Sequence, residues 1–153
     1  MPARKLREYL ENNHIFYEAI PHTQTFTAQK TAQTTRISGK EMAKTVIVRV
    51  DGQLGMVVLP ANHRVNLERL KEATGARSVE LAHEQDFEER FPECEIGAMP
   101  PFGNLYNMPV FVDERLTRDE DIAFNAGTHT EVVRMHYKDF EDLVHPEVDD
   151  LTD

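Results

Sequence analysis

The sequence is poor in several residue types, and each shortage excludes a class of protein. Among 153 residues there is one cysteine, Cys94, and no tryptophan. A single cysteine cannot form an internal disulfide, so we expect a reducing, cytoplasmic location. No apolar run approaches the ~18 residues of a spanning helix, and the first residues lack the apolar stretch of a signal peptide. The sequence therefore predicts no membrane partner.

Motifs for metals, nucleotide phosphates and activated nucleophiles are also lacking. The seven histidines show neither H-x-x-x-H nor paired cysteine spacing. There is no glycine-rich phosphate loop, and no serine lies in a nucleophile elbow. Cys94 lies between two glutamates, which disfavour its thiolate. We therefore predict no metal site, no cofactor and an inert cysteine.

What is present is typical of a globular protein. The chain is 40% hydrophobic and 29% charged. A chain of this length can bury roughly two-thirds of its unfolded surface, so a core forms without disulfides. No repeat or Pro/Gly/Ser-rich linker divides the sequence, and we predict one domain over residues 1–153.

The net charge of −10 is unevenly distributed. Residues 1–76 contain 11 Lys and Arg against 7 Asp and Glu, whereas residues 77–153 contain 6 against 20. Between Lys30 and Arg49 there are five basic residues and one acid. This asymmetry is compatible with a phosphate-binding patch on an acidic body, and equally with an ordinary solvated surface.

Hydrophobic periodicity and capping residues predict an α+β fold, because strands outnumber helices in the second half without alternating with them. A β-hairpin with an Asp51-Gly52 turn is the clearest element. Ser38 and Glu41 have capping-box spacing, and the acidic tail from Glu147 reads as a frayed end. The predicted helices are 3–11, 28–35, 67–74, 84–91 and 138–144; the predicted strands are 15–20, 44–50, 53–59, 79–81, 110–112, 122–125 and 131–135.

Lys44 is an unusual residue at the start of this hairpin. By side-chain alternation it shares a face with Val46, Val48 and Val50, so its charge lies at the edge of an apolar wall. Its aliphatic stem can simply cover apolar surface while the ammonium reaches water. The alternative is a fixed cation at the rim of a pocket.

Two loops have compositions suited to ligand binding. The segment Gly97-Ala98-Met99-Pro100-Pro101-Phe102-Gly103 is stiffened by prolines, while its glycines permit turns and close approach. The segment Asn125-Ala126-Gly127-Thr128-His129-Thr130 is a polar turn between two predicted strands. Each is also explained as an ordinary connection between elements.

The order and spacing of these segments resemble the YbaK / prolyl-tRNA-synthetase-associated family. The resemblance covers about 15–144 and rests on Phe26-Thr27-Ala28, the strand from Ala43 to Val48, residues 67–75, the Gly97–Gly103 loop and Asn125-Ala126-Gly127. Members stand alone or form editing domains within bacterial prolyl-tRNA synthetases. The resemblance implies a single α+β domain with a mixed, curved, partly barrel-like sheet flanked by helices.

It also implies an activity, the hydrolysis of the ester that joins a wrong, small amino acid to the terminal adenosine of a tRNA. The partners implied are aminoacyl-tRNA and an aminoacyl-tRNA synthetase. In the family, activity depends on the lysine that matches Lys44. The substrate-binding residues implied here are Phe26, Thr27, Thr45, Gly97, Ala98, Pro100, Pro101, Asn125, Gly127 and His129.

This chain departs from the family pattern at two of those positions. Asn125 replaces a serine found in many relatives, and Pro100 replaces a small polar residue, which bears on the amino acid accepted. Two other functions remain open: a tRNA- or synthetase-binding module without catalysis, and a protein acting on a small free ligand. RNA dependence and turnover distinguish these hypotheses.

Overall fold

The computed structural model describes residues 3–25 and 27–153. Within them, helices and strands occur in an irregular order, which confirms the predicted α+β class. None of the described helices is long and apolar enough to cross a membrane. The α-helices are α1 (Arg4–Asn12), α2 (Ala28–Thr35), α3 (Leu67–Thr74), α4 (Glu84–Phe87) and α5 (Tyr137–Val144). The strands are β1 (Tyr17–Pro21), β2 (Ala43–Val50), β3 (Gln53–Pro60), β4 (Val79–Leu81), β5 (Val110–Asp113), β6 (Asp121–Asn125), β7 (Glu131–His136) and β8 (Glu147–Asp149).

The strands form two sheets rather than one curved sheet. Three strands pair antiparallel in the order β1-β7-β6, and five pair in the order β4-β2-β3-β5-β8. In the larger sheet, β3, β5 and β8 are mutually parallel neighbours and the other pairs are antiparallel. A parallel bridge between Met42 and Ala123 joins the sheets. Since this bridge is the pairing that joins the two sheets, the described strands do not close into a barrel.

The β2-β3 hairpin forms the centre of the larger sheet, as its apolar pattern predicts. Ile47 packs into the main core on one face, and Val48 packs with Leu70 on the other. The turn residues Asp51 and Gly52 both have positive φ, 49° and 82°. That geometry is the two-residue turn whose twist matches paired strands.

Side-chain caps confirm two predicted helix starts. The hydroxyl of Thr27 accepts a hydrogen bond from the Lys30 backbone N–H at 3.1 Å and begins α2. The side-chain oxygen of Asn66 does the same for Arg69 at 3.1 Å and begins α3, which Gly75 ends with φ of 68°.

Two local predictions were wrong in detail. Residues 84–91 are not one helix, because α4 ends at Phe87 and a 3₁₀ turn follows over Glu88–Arg90. Ser38 accepts from the Lys40 N–H at 3.2 Å and forms a turn rather than a capping box. Glu41 cannot complete that box, since its carboxylate accepts from the Arg134 guanidinium at 2.9 Å.

The acidic tail is also not frayed. It forms β8 beside β5, and Leu151 is 1% exposed. The buried carboxylate of Asp113 accepts a hydrogen bond from the Leu151 backbone N–H at 2.9 Å. Asp150 pairs with Arg69 and Arg115. The tail is ordered because Leu151 is buried, Asp113 binds its backbone and Asp150 pairs with two arginines.

Candidate active site

A cavity of about 400 Å³ opens where five segments meet. These are the start of β2, the residues that follow β3, the start of α2, the end of β6 and the turn at Gly97. The antiparallel pairing of Lys44 with Leu59 explains why the start of β2 and the end of β3 lie at one edge. The lining consists of Thr27, Ala28, Gln29, Ala43, Lys44, Thr45, Ala61, Asn62, His63, Arg64, Gly97, Met99 and Asn125.

The cavity lining contains basic side chains and no carboxylate. Lys44, His63 and Arg64 contribute the titratable groups of this lining. A cavity lined this way is locally basic although the net charge of the chain is −10. It therefore favours a ligand that is anionic or develops negative charge.

Lys44 is half-buried at the cavity edge. Within residues 3–25 and 27–153, no acidic side chain forms a salt bridge with it. Burial lowers the pKa of Lys44 below the usual 10.5, and the neighbouring Arg64 cation lowers that pKa further. An ammonium without a counter-ion is available to a ligand. A lysine whose stem merely covers apolar surface need not line a cavity, whereas Lys44 does.

Asn125 brings an amide to the same cavity. It is the last residue of β6 and is 8% exposed. Its side-chain oxygen is buried and has no hydrogen-bond partner in the described part of the chain. Such groups are rare in folded proteins, because an unsatisfied buried acceptor costs about 1–3 kcal/mol. Asn125 thus contributes a largely buried amide to the cavity wall.

The turn at Gly97 closes another side of the cavity. Gly97 has φ of 89°, which disfavours side chains, and a Cβ there would lie 3.4 Å from Cε1 of His129. Its N–H lies 3.2 Å from the sulfur of Met99, which lines the cavity while being 4% exposed. Backbone and thioether together give this wall a small, adaptable contact surface.

Four other residues implied by the resemblance lie behind this wall and do not line the cavity. Ala98, Pro100, Pro101 and Gly127 are all buried. The Gly127 N–H donates to the Ala98 carbonyl at 2.8 Å, and Gly127 has φ of 101°. The hydrogen bond between Gly127 and Ala98 joins the turn after β6 to the Gly97 turn.

His129 has a similar supporting position. Its side chain is 5% exposed, and Nε2 lies 2.8 Å from the carbonyl oxygen of Ile96. Because a carbonyl only accepts, Nε2 carries the proton and donates in this contact. His129 thereby anchors the residue before Gly97 and does not reach the lining.

The sequence prediction overlaps this lining only in part. Lys44, Thr27, Thr45, Gly97 and Asn125 line the cavity. Phe26 lies outside the described residues. The prediction omitted the basic and amide residues that follow β3, above all Asn62, His63 and Arg64. The hairpin itself was the signal that could have located them, since an antiparallel pair brings the residues after β3 beside Lys44.

Neither a metal centre nor a reactive thiol is formed elsewhere in the described ranges. No group of three or more His, Cys, Asp or Glu side chains there could hold a metal ion. Burial raises the pKa of the Cys94 thiol, Glu93 also raises it, and a contact of 3.7 Å with the Tyr106 hydroxyl partly opposes them. Cys94 is therefore mainly protonated at neutral pH.

Solved structures share this fold closely. A candidate trans-editing enzyme for prolyl-tRNA synthetase matches with a TM-score of 0.84 and 22% identity, over 99% of this chain and 96% of that one. A hypothetical protein of known structure matches with a TM-score of 0.87 and 22% identity, over 98% and 100%. At this identity the likeness establishes the fold.

The family model for the aminoacyl-tRNA editing domain matches residues 22–143, and the chain belongs to that family. The proline–tRNA ligase of Bacillus mycoides is 30% identical over 77 residues, which are 50% of this chain and 13% of the ligase. That of Lactococcus lactis subsp. cremoris is 28% identical over 102 residues, 67% of this chain and 16% of the ligase. The chain thus matches a small part of each curated relative, and the family identified from the sequence is confirmed.

Proposed function

We propose that this protein hydrolyses the ester that joins a wrong, small amino acid to the terminal adenosine of a tRNA, acting in the cytoplasm alongside prolyl-tRNA synthetase. The observation that supports this most is the carboxylate-free cavity containing Lys44 and Arg64. Its cations suit an RNA end and a reaction that develops negative charge on an ester oxygen. Editing-domain membership supplies the substrate class.

Lys44 acts as a cation in this mechanism. Water attacks the ester carbonyl carbon, and negative charge develops on the carbonyl oxygen. The Lys44 ammonium stabilises that charge in a half-buried site, where electrostatic interactions are stronger than in bulk water. The bond from carbonyl carbon to ribose oxygen then breaks, and the ribose oxygen leaves with a proton taken from the attacking water.

The proton acceptor in this mechanism is the substrate. The cavity lining provides no carboxylate base, and the free hydroxyl beside the ester on the ribose is positioned to orient the water and relay its proton. Lys44 then needs no conversion to a neutral base. We assign Lys44 the role of cation because an unperturbed lysine has a pKa of about 10.4 and is charged near pH 7.

We infer that the wall around Gly97 selects small side chains. Ala43, Thr45 and Met99 contribute short or adaptable side chains, and Gly97 contributes backbone alone. A synthetase pocket distinguishes side chains that differ by one methylene by only about 1–3 kcal/mol, so small wrong amino acids need a second hydrolytic site. We propose alanine, serine or cysteine attached to tRNA-Pro as substrates.

The test is deacylation of tRNAs that carry these amino acids, with wild type, Lys44→Ala and the control Lys71→Ala. Lys71 is an exposed lysine of α3 outside the cavity lining. We expect wild type and Lys71→Ala to hydrolyse at least one substrate and Lys44→Ala to lose about a hundredfold in kcat/KM. Equal activity of Lys44→Ala would reject its role. RNA binding without turnover by wild type would identify a binding module instead.

A further inference from the structure

A groove of about 600 Å³ adjoins the cavity on the other side of Asn62. The two depressions share Gln29 and Asn62, so one ligand can contact both. The remaining groove residues come from the second half of α2 and the turn that follows it. They are Ala32, Gln33, Arg36, Ile37, Ser38 and Gly39.

The floor of this groove is apolar. Ala32 is 5% exposed and Ile37 is 8% exposed, and both belong to an apolar cluster with Met42 and Ala61. A hydrogen bond of 3.0 Å from the Ile37 N–H to the Ala32 carbonyl joins the two backbones. Ala32 and Ile37 therefore lie together at the base of the groove.

The rim of the groove is rich in amides. Gln29 and Gln33 lie four residues apart on α2 and so share a helix face, while Asn62 faces them from the residues after β3. Within the described residues, the side chains of Gln29, Gln33 and Asn62 are exposed and form no hydrogen bond to other protein groups. Each amide can donate and accept at once, which is the pairing that reads the edge of adenine.

Arg36 adds a cation at the end of the same helix. It caps α2 with φ of 61°, is exposed, and forms no salt bridge with a described acid. An apolar floor, an amide rim and an unpaired guanidinium together fit one nucleotide. The floor contacts the flat face of the base, the amides contact its edge, and Arg36 contacts a phosphate.

We infer that this groove binds the adenine base of the terminal adenosine whose ester occupies the cavity. The inference rests on the proposed function, because the ester and the base belong to the same nucleoside and must occupy adjoining spaces. Gln33 is the most informative residue, since it lines the groove and not the cavity. It reads the base and takes no part in the hydrolysis.

The experiment uses aminoacyl-microhelices that end either in adenosine or in purine riboside, which lacks the exocyclic amino group. They are given to wild type, Gln33→Ala and the control Gln53→Ala, an exposed glutamine at the start of β3. We expect purine riboside to lower kcat/KM of wild type about tenfold, within the range for one lost bidentate contact. Gln33→Ala should lose about as much with adenosine and lose nothing further with purine riboside.

The two proposals fail in different ways. Equal hydrolysis of both microhelices by wild type, or losses that add in Gln33→Ala, would overturn the groove assignment and leave the hydrolase intact. Absence of hydrolysis of either microhelix by wild type would overturn the hydrolase. In that case adenosine and purine riboside would be compared by equilibrium binding of uncharged microhelices. Weaker binding of the purine riboside microhelix to wild type, with no such difference for Gln33→Ala, would support the groove. Any other result would reject it. Matching thermal unfolding of the three proteins verifies that Gln33→Ala is folded.

Discussion

The cations beside the last strand are paired with acids, whereas those around the cavity are not. At the last strand, Arg115 contacts Asp113 at 3.4 Å and Asp150 at 3.2 Å, and its guanidinium also donates to the Thr152 hydroxyl at 2.6 Å. Arg69 pairs with the same Asp150. Each positive charge there has a fixed protein partner, and the result is a stable attachment of β8 to β5.

Around the cavity the same residue types are left without such partners. In the described ranges, neither Lys44 nor Arg64 forms a salt bridge, and neither do Arg36 and Lys40 on the adjoining surface. Arg49, which the sequence places in the same basic stretch, differs because it pairs with Asp86 at 3.2 Å. The basic residues near the cavity therefore remain as candidates for a phosphate-binding patch, and Arg49 does not.

The two regions touch, so the difference is not one of distance. The Asn66 N–H donates to the Leu151 carbonyl at 2.7 Å, and the Asp153 N–H reaches the Arg64 carbonyl at 3.4 Å. Backbone hydrogen bonds from the tail hold the chain beside Arg64 in place, and no described carboxylate pairs with the Arg64 guanidinium. The comparison shows that a net charge of −10 gives little information about ligands, because most acids serve the fold or the solvent-exposed surface.

The largest expected effect is a loss of stability on removing the central acid of the paired region. Asp113→Ala leaves the buried Leu151 N–H without its acceptor and removes one of the two acidic partners of Arg115. We expect the free energy of unfolding to fall by about 3 kcal/mol, the scale for breaking one side of a buried charged network. Urea unfolding followed by circular dichroism measures it.

Asp149→Ala is the matched control for that change, since Asp149 is an exposed acid of β8. Its expected effect is within about 0.5 kcal/mol, as for most surface substitutions. Similar losses of stability for both variants would show that acids around β8 stabilise the protein whether or not they are paired. The distinction between paired and unpaired charges would then fail.

The next effect concerns RNA capture. Arg64→Gln removes a cation without an acidic partner, whereas Arg69→Gln removes one already paired with Asp150. We expect Arg64→Gln to weaken microhelix binding and to reduce the slope of log K against log salt by about 0.7–0.9, the contribution of one phosphate contact. Arg69→Gln should leave that slope unchanged. Fluorescence anisotropy from 50 to 200 mM salt measures both, and equal slopes for the two variants would contradict the comparison.

A smaller effect is expected at His63, which lines the cavity with the free cations. No described carboxylate or carbonyl orients its ring, as a general base would require. We expect His63→Gln to keep kcat/KM within about threefold, whereas a substrate lacking the free ribose hydroxyl loses most of its rate. A hundredfold loss in His63→Gln, a scale typical of removing a general base, would instead assign the proton transfer to this histidine.

The smallest effect is a pH dependence of stability that arises from Lys44. Burial and Arg64 lower its pKa in the folded protein below the usual 10.5, so the unfolded chain binds more protons in the interval between the two values. Stability from this group therefore rises with pH through that interval, and the cost of its charge is present at neutral pH. Lys44→Met should be slightly more stable than wild type at pH 7 and lack this rise. Urea unfolding from pH 7 to 10 tests it, and lower stability of the variant would contradict it.

Local chemistry explains which parts of the fold were predictable. The hairpin, the caps at Thr27 and Asn66 and the glycine at 75 depend on residues within a few positions of one another, and the sequence alone indicates them. The tail depends on Asp113, which lies 38 positions from Leu151. An isolated acidic segment contains no sign of so distant a partner.

The site divides in the same manner. Lys44 could be identified because strand alternation puts a charge on an apolar face, and Gly97 because the turn needs positive φ. The supporting position of His129 could not, since it depends on a contact with Ile96 made only after β6, β7 and the Gly97 turn have assembled. The sequence does not distinguish residues that line the cavity from residues that only support its wall. The tertiary structure does.

The exposed acids of β8 have a further consequence for how copies of the protein meet. This strand ends the larger sheet, where an unpaired row of backbone groups can accept a strand from another molecule. Glu147 and Asp149 are exposed at that edge, and like charges on an incoming copy would repel it. The acidic strand is thus expected to oppose edge-to-edge association of copies through this side of the sheet.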